Sequence, residues 1–151
     1  MRFFHAAILV PNLEEAILTY GPLLDVDFLP PVERHYPRIE FKDKDCPFDL
    51  RISYSTKGPF YIELLQVANP ELWGDGGGHE RFHHFGMWAD DPVDEARKLE
   101  ATGFEWEANI YDQGYVQVVF IRRGDLRVEI LNAARRAGFL AWTEGHAKSP
   151  S

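Results

Sequence analysis

Apolar positions in this chain fall into short runs punctuated by proline, glycine and acidic residues, and the same order of runs occurs twice. Phe3–Val10 is almost wholly apolar and stops at Pro11-Asn12, which predicts a buried strand. Asn12 suits a helix N-cap and Glu14 and Glu15 suit the first turn. Ala16, Ile17, Tyr20 and Leu24 recur at helical spacing, so a helix is predicted to about Leu24. Asp25–Leu29 reads as a short strand ended by Pro30-Pro31. Val32–Pro47 mixes charge, aromatics and proline without periodicity and reads as a loop with at most a little strand. Phe48–Ser55 alternates as a strand does, Thr56–Pro59 is a turn, and Phe60–Val67 is a further strand.

Asn69–Glu80, with Pro70 and the run Gly76–Gly78, reads as a linker. The order then returns. Phe82–Ala89 is a predicted strand, Pro92 opens a helix to about Thr102, and Gly103 stops it. Strands follow at Phe104–Ala108, Tyr115–Arg122 and Leu126–Leu131, the last two joined at Gly124-Asp125. Ala133–Glu144 reads as a terminal helix whose Phe139, Leu140 and Trp142 can dock on the body, ahead of a frayed tail, Gly145–Ser151.

Laying His84 on His5 aligns a strand opening, a proline and a Glu-Ala pair in both copies, Glu15-Ala16 in the first and Glu95-Ala96 in the second. Each copy also closes on an apolar strand holding one carboxylate, Glu63 in YIELL and Glu129 in RVEIL. The pattern predicts an α+β fold of two tandem β-α-β-β-β modules, residues 1–68 and 81–132, with a linker at 69–80 and a helix and tail at 133–151, all in one compact unit.

Composition narrows the function classes. At 151 residues and 45% hydrophobic, the chain can bury a core of its own. A formal charge of −8 without a basic run argues against nucleic acid as a partner. No apolar run approaches the roughly 20 residues that cross a bilayer, and Phe3–Val10 leads into PNLEEA rather than a signal-peptide cleavage site. Cys46 stands alone and fits a reducing, cytoplasmic location.

A lone histidine on an apolar strand is ordinarily a core residue, and a strand glutamate ordinarily faces water. A carboxylate facing inward, however, costs several kcal/mol unless a cation or proton accompanies it. If the first and last strands of the two modules pair about a pseudo-two-fold, His5, Glu63, His84 and Glu129 meet. Two imidazoles and two carboxylates suit Zn²⁺, Ni²⁺, Co²⁺, Mn²⁺ or Fe²⁺. His83 competes with His84, but neighbours on a strand face opposite ways, and the alignment to His5 selects His84. His35 and His79 read as surface residues. Nucleophile-elbow, P-loop and dinucleotide fingerprints are absent from the sequence.

These residues, in the segments HAAILVPNLEEA, YIELLQ, HHFGMWADDPVDEA and RVEILN, resemble the vicinal oxygen chelate superfamily, and the resemblance runs from Phe3 to about Asn132. It implies an open, cupped mixed sheet around one divalent metal ion, with His5, Glu63, His84 and Glu129 as ligands. It also implies metal-dependent isomerase, epimerase or lyase chemistry on a small carbonyl or thioester substrate through an enolate-like intermediate. Glu129 is the first candidate for the proton-transferring base and Glu63 the second. An extradiol-type dioxygenase and a metal-free drug-binding protein of the bleomycin-resistance type remain as alternatives. The resemblance and the apolar face of the terminal helix together predict a homodimer.

Overall fold

The strands expected from alternation are present, and they set the architecture. The computed structural model describes residues 1–68, 70–73, 79–145 and 149–150. Strand β1 (Phe3–Leu9) leads into α1 (Leu13–Leu24), then β2 (Val32–Phe41), β3 (Lys44–Tyr54) and β4 (Tyr61–Val67). After α2 (Pro70–Trp73) come β5 (Arg81–Ala89), α3 (Pro92–Glu100), β6 (Glu105–Asp112), β7 (Tyr115–Arg123) and β8 (Leu126–Asn132). A 3-10 turn at Ala133–Arg135 runs into α4, Arg136–Thr143. The fold is α+β. Both longer helices start as the sequence indicates, because the Asn12 side chain accepts from the Glu15 N–H at 3.0 Å and Asp91 accepts from Val93 and Asp94 at 2.9 and 3.0 Å.

The mixed eight-stranded sheet closes into a barrel in the order β1-β4-β3-β2-β6-β7-β8-β5. β1 runs parallel to β4 and β5 to β8, while β1 meets β5, and β2 meets β6, antiparallel. The second of these seams is what turns the expected open cup into a closed barrel. It depends on β2, where a loop was expected. Residues of β2 do alternate between less and more exposed positions, but the less exposed ones include Arg34, Tyr36 and Arg38 rather than aliphatic side chains, so hydropathy hides the period. The expected strand at Asp25–Leu29 reduces to one bridge, Phe28 to Ser55, since α1 ends at Asp25 in the left-handed region (φ 53°) and the chain turns there.

Helix α2 lies within the expected linker and buries Leu72 and Trp73 in a core shared with Phe41, Phe48 and Phe120. The Gly76–Gly78 part of that linker lies outside the described residues. Helix α4 folds back on the barrel, where Phe139 and Trp142 are each only 6% exposed among Phe4, Tyr54, Tyr61 and Leu65. The apolar face expected to receive a second copy is therefore covered by the chain itself. Beyond α4 the tail is not wholly free, since Arg34 donates a hydrogen bond to the Ser149 hydroxyl. Among the described residues no helix is long and apolar enough to cross a membrane.

Candidate metal centre

Two ladder rows bring the four expected residues together. In one row Ala7 of β1 pairs with Glu63 of β4 on one side and His84 of β5 on the other. In the next, Gly86 of β5 pairs with His5 of β1 and with Glu129 of β8. The rows lie two residues apart, so all four side chains emerge on one face, and the two positions between them hold alanine and glycine. The flanking positions match as well, with Tyr54 beside Glu63 and Phe120 beside Glu129. Tyr54 and Phe120 each present a ring edge-on at 5.4 Å to His5 and His84 respectively.

The donor atoms converge. Nε2 of His5 lies 3.0 Å from Nε2 of His84. Oε2 of Glu63 is 3.3 Å from each imidazole nitrogen, and Oε2 of Glu129 is 3.3 Å from that of His5 and 3.2 Å from that of His84. One ligand atom from each of the four lies within 4.8 Å of all the others. Both carboxylate oxygens are buried without a directed hydrogen bond, an arrangement that carries a desolvation cost unless a cation sits among them. Separations near 3 Å are also those of donors sharing one ion at roughly 2.0–2.2 Å. The donor set thus fits a divalent first-row ion.

Charge within the cluster is mutually compensated. Burial opposes protonation of His84 most strongly, yet Glu129 and Glu63 outweigh it and raise its pKa from 6.5 to about 9. His5 is raised for the same reasons. Burial disfavours the Glu129 carboxylate, but His84 and His5 hold it well below its ordinary range, and Glu63 is lowered likewise. A metal ion must therefore displace protons from the imidazoles. Calorimetry in buffers of different ionisation enthalpy is expected to find at least about one proton released per ion bound at pH 7, with affinity falling toward acid pH. Metal-free protein should show the opposite trend on the alkaline side. The raised His84 stabilises the fold below pH 6.5 and loses that contribution as pH rises through about 9, while the lowered carboxylates contribute above pH 4.5 and lose it as pH falls. The apo melting temperature is thus expected to peak between those limits, and a maximum above pH 8 would contradict the pairing.

His83 does not point away from the site. The β1/β5 register shifts between Ala7↔His84 and Ile8↔Phe82, a bulge that breaks strict alternation at His83 and turns its ring inward. His83 is 1% exposed, and its Nδ1 lies 2.7 Å from Nδ1 of His84. Burial, then the positive charges of His84, Arg127 and Arg81, push the His83 pKa well down, so a neutral His83 accepts the Nδ1–H of His84 while Nε2 of His84 faces the cluster. The bulge is braced by Arg127, which donates to the His83 carbonyl at 3.1 Å and to buried Glu107 at 2.6 Å. Trp73 donates to the same carboxylate at 2.8 Å.

Gly86 was also hidden from sequence reasoning. A Cβ there would lie 1.8 Å from Cε1 of His5. The available signal was a glycine inside a strand, which marks close approach of another group. The remaining expected surface residues behave as such, since His35 pairs with exposed Asp49 and His79 is exposed.

Glu63, His84 and Glu129 open onto a cavity lined mainly by aromatic and aliphatic side chains. Comparison with known proteins agrees with this layout. The model of the glyoxalase/bleomycin resistance protein/dioxygenase superfamily matches residues 4–120. No curated protein sequence matches the chain. Among solved structures, methylmalonyl-CoA epimerase from Mycobacterium tuberculosis superposes with a TM-score of 0.56 at 15% identity, covering 85% of each chain. A hypothetical protein from Bacillus halodurans gives 0.55 at 15% identity, covering 85% of this chain and 91% of that one. A Streptomyces coelicolor methylmalonyl-CoA epimerase variant in complex with 2-nitronate-propionyl-CoA gives 0.54 at 15% identity, covering 88% and 96%. At such identity these likenesses speak to fold alone.

Proposed function

The chain belongs to the glyoxalase/bleomycin resistance protein/dioxygenase superfamily, and from that premise we propose that it is a metal-dependent isomerase, epimerase or lyase acting on a small carbonyl or thioester compound. One observation carries the reading, the convergence of His5, Glu63, His84 and Glu129 within 4.8 Å beside a cavity. These four would hold the ion, Zn²⁺, Ni²⁺, Co²⁺, Mn²⁺ or Fe²⁺ by ligand type. When bound, the ion would polarise the substrate carbonyl and favour the enolate-like charge that develops next to it.

The chain's own residues would move the proton. Glu129 is the better base of the two carboxylates, because it is 12% exposed against 6% for Glu63 and because Glu63 pairs across the sheet with buried Tyr54. Burial and both carboxylates keep the Tyr54 hydroxyl protonated and therefore a donor. Glu129 would take the proton from the carbon beside the carbonyl and return it, and inversion in an epimerase would need a second proton donor on the other face, for which Glu63 is the candidate. The cavity's aromatic walls exclude competing water.

Incubating metal-loaded protein in D₂O with thiohemiacetals, acyl thioesters and hydroxy-ketones tests this by NMR. Deuterium should appear at the α-carbon with wild type and Glu63→Gln should retain more exchange than Glu129→Gln. Oxygen uptake with catechols and no exchange would sink the reading.

His83→Ala is expected to weaken metal binding by about 10–100-fold, because His84 loses the acceptor that fixes its tautomer. Unchanged affinity would show that His84 needs no such partner. We also infer that residues 1–68 and 81–132 are copies of one unit, a reading supported by the matched ladder positions of Ala7 and Gly86.

A further inference from the structure

Two cationic side chains line the cavity without forming an ion pair among the described residues. Arg34 projects from β2 and Arg135 from the 3-10 turn after β8, and both border the space that Glu63, His84 and Glu129 border. Among the described residues neither forms an ion pair, although the chain carries eight more acidic than basic groups. Other arginines do find carboxylates: Arg38 meets Asp45 and Glu40, Arg51 meets Glu14, and Arg127 meets Glu107. Arg34 instead donates to the Ser149 hydroxyl and stands 5.5 Å over the Trp142 ring. It is half-buried, and burial followed by the nearby charge of Arg135 disfavours its protonated form. A partly desolvated pair of guanidiniums is costly alone and is the side-chain chemistry best suited to a carboxylate.

The rest of the cavity lining is mainly apolar, with Tyr36, Phe48, Trp88, Phe139 and Trp142 among its residues. We propose that Arg34 and Arg135 form an anion-binding subsite, and that the substrate is a small carbonyl compound with an apolar body and a carboxylate. This deepens the proton-transfer reading and rests on it for the carbonyl. The anionic group and the apolar body follow from the cavity itself.

The test is calorimetric titration of phenylpyruvate and 3-benzoylpropanoate, each beside its methyl ester, into metal-free and metal-loaded protein. At least one acid should bind wild type about tenfold or more tightly than its ester. Arg34→Met and Arg135→Met should each shrink that ratio, and the double variant should bring it close to one. Esters that bind as well as the acids would overturn the proposal, as would a ratio that survives the double variant or acids that fail to bind at about 10 mM. The wild-type comparison needs no variant to fold. Selectivity for an acid in a protein that never exchanges an α-proton would keep the anion subsite and remove the proton-transfer reading. Exchange without acid selectivity would do the reverse.

Discussion

Gly86→Ala is expected to cost the protein its metal affinity while leaving the barrel recognisable. The added methyl would stand 1.8 Å from Cε1 and 2.3 Å from Nδ1 of His5. His5 cannot swing clear, since it is fully buried with Phe4 against it at 4.4 Å and Tyr54 at 5.4 Å. Either the ring is forced out of the cluster or β1 and β5 separate where His5 meets Gly86. Displacing a ligand is a larger insult than losing a supporting residue, so affinity for Zn²⁺ or Co²⁺ should fall by more than about 100-fold, with an overpacking cost of about 1–3 kcal/mol in stability. Titration and thermal melting of the variant measure both. Wild-type affinity in Gly86→Ala would mean that His5 is not a ligand.

Phe139→Ala should produce the largest loss of stability among single truncations of α4. Its ring meets those of Phe4, Tyr54, Tyr61 and Trp88 at 4.9 to 5.7 Å, so the side chain ties the terminal helix to β1, β3, β4 and β5 together. Removing a buried phenylalanine costs about 3–5 kcal/mol, which corresponds to a fall in melting temperature of roughly 6–20 °C for a domain near this size. A variant that melts with wild type but changes oligomeric state would mean that this face serves another copy, as the sequence alone had suggested.

That contrast shows how far the residues could be read in advance. The four cluster residues were legible because each is a titratable side chain set among mainly apolar residues, repeated at corresponding points of two similar segments. Helix starts were legible because Asn12 caps locally and Pro92 suits a first turn. What escaped notice depended on partners distant in sequence. The less exposed positions of strand β2 include Arg34, Tyr36 and Arg38, and the closed barrel follows from its pairing with β6. The inward turn of His83 comes from a bulge against β1, held by Arg127 on β8. Periodicity records which face of an element is apolar, but not which surface covers it. Helix α4 accordingly looked available to a second copy until its docking against β1, β3 and β4 was seen.

The central claim is that His5, Glu63, His84 and Glu129 hold one metal ion, and elemental analysis of untagged protein tests it most directly. After incubation with Zn²⁺, Ni²⁺, Co²⁺, Mn²⁺ or Fe²⁺ and removal of the excess, the chain should retain about one divalent ion, and His84→Ala should retain none. A wild-type protein that stays empty with all five ions, or a His84→Ala variant that stays full, would contradict it.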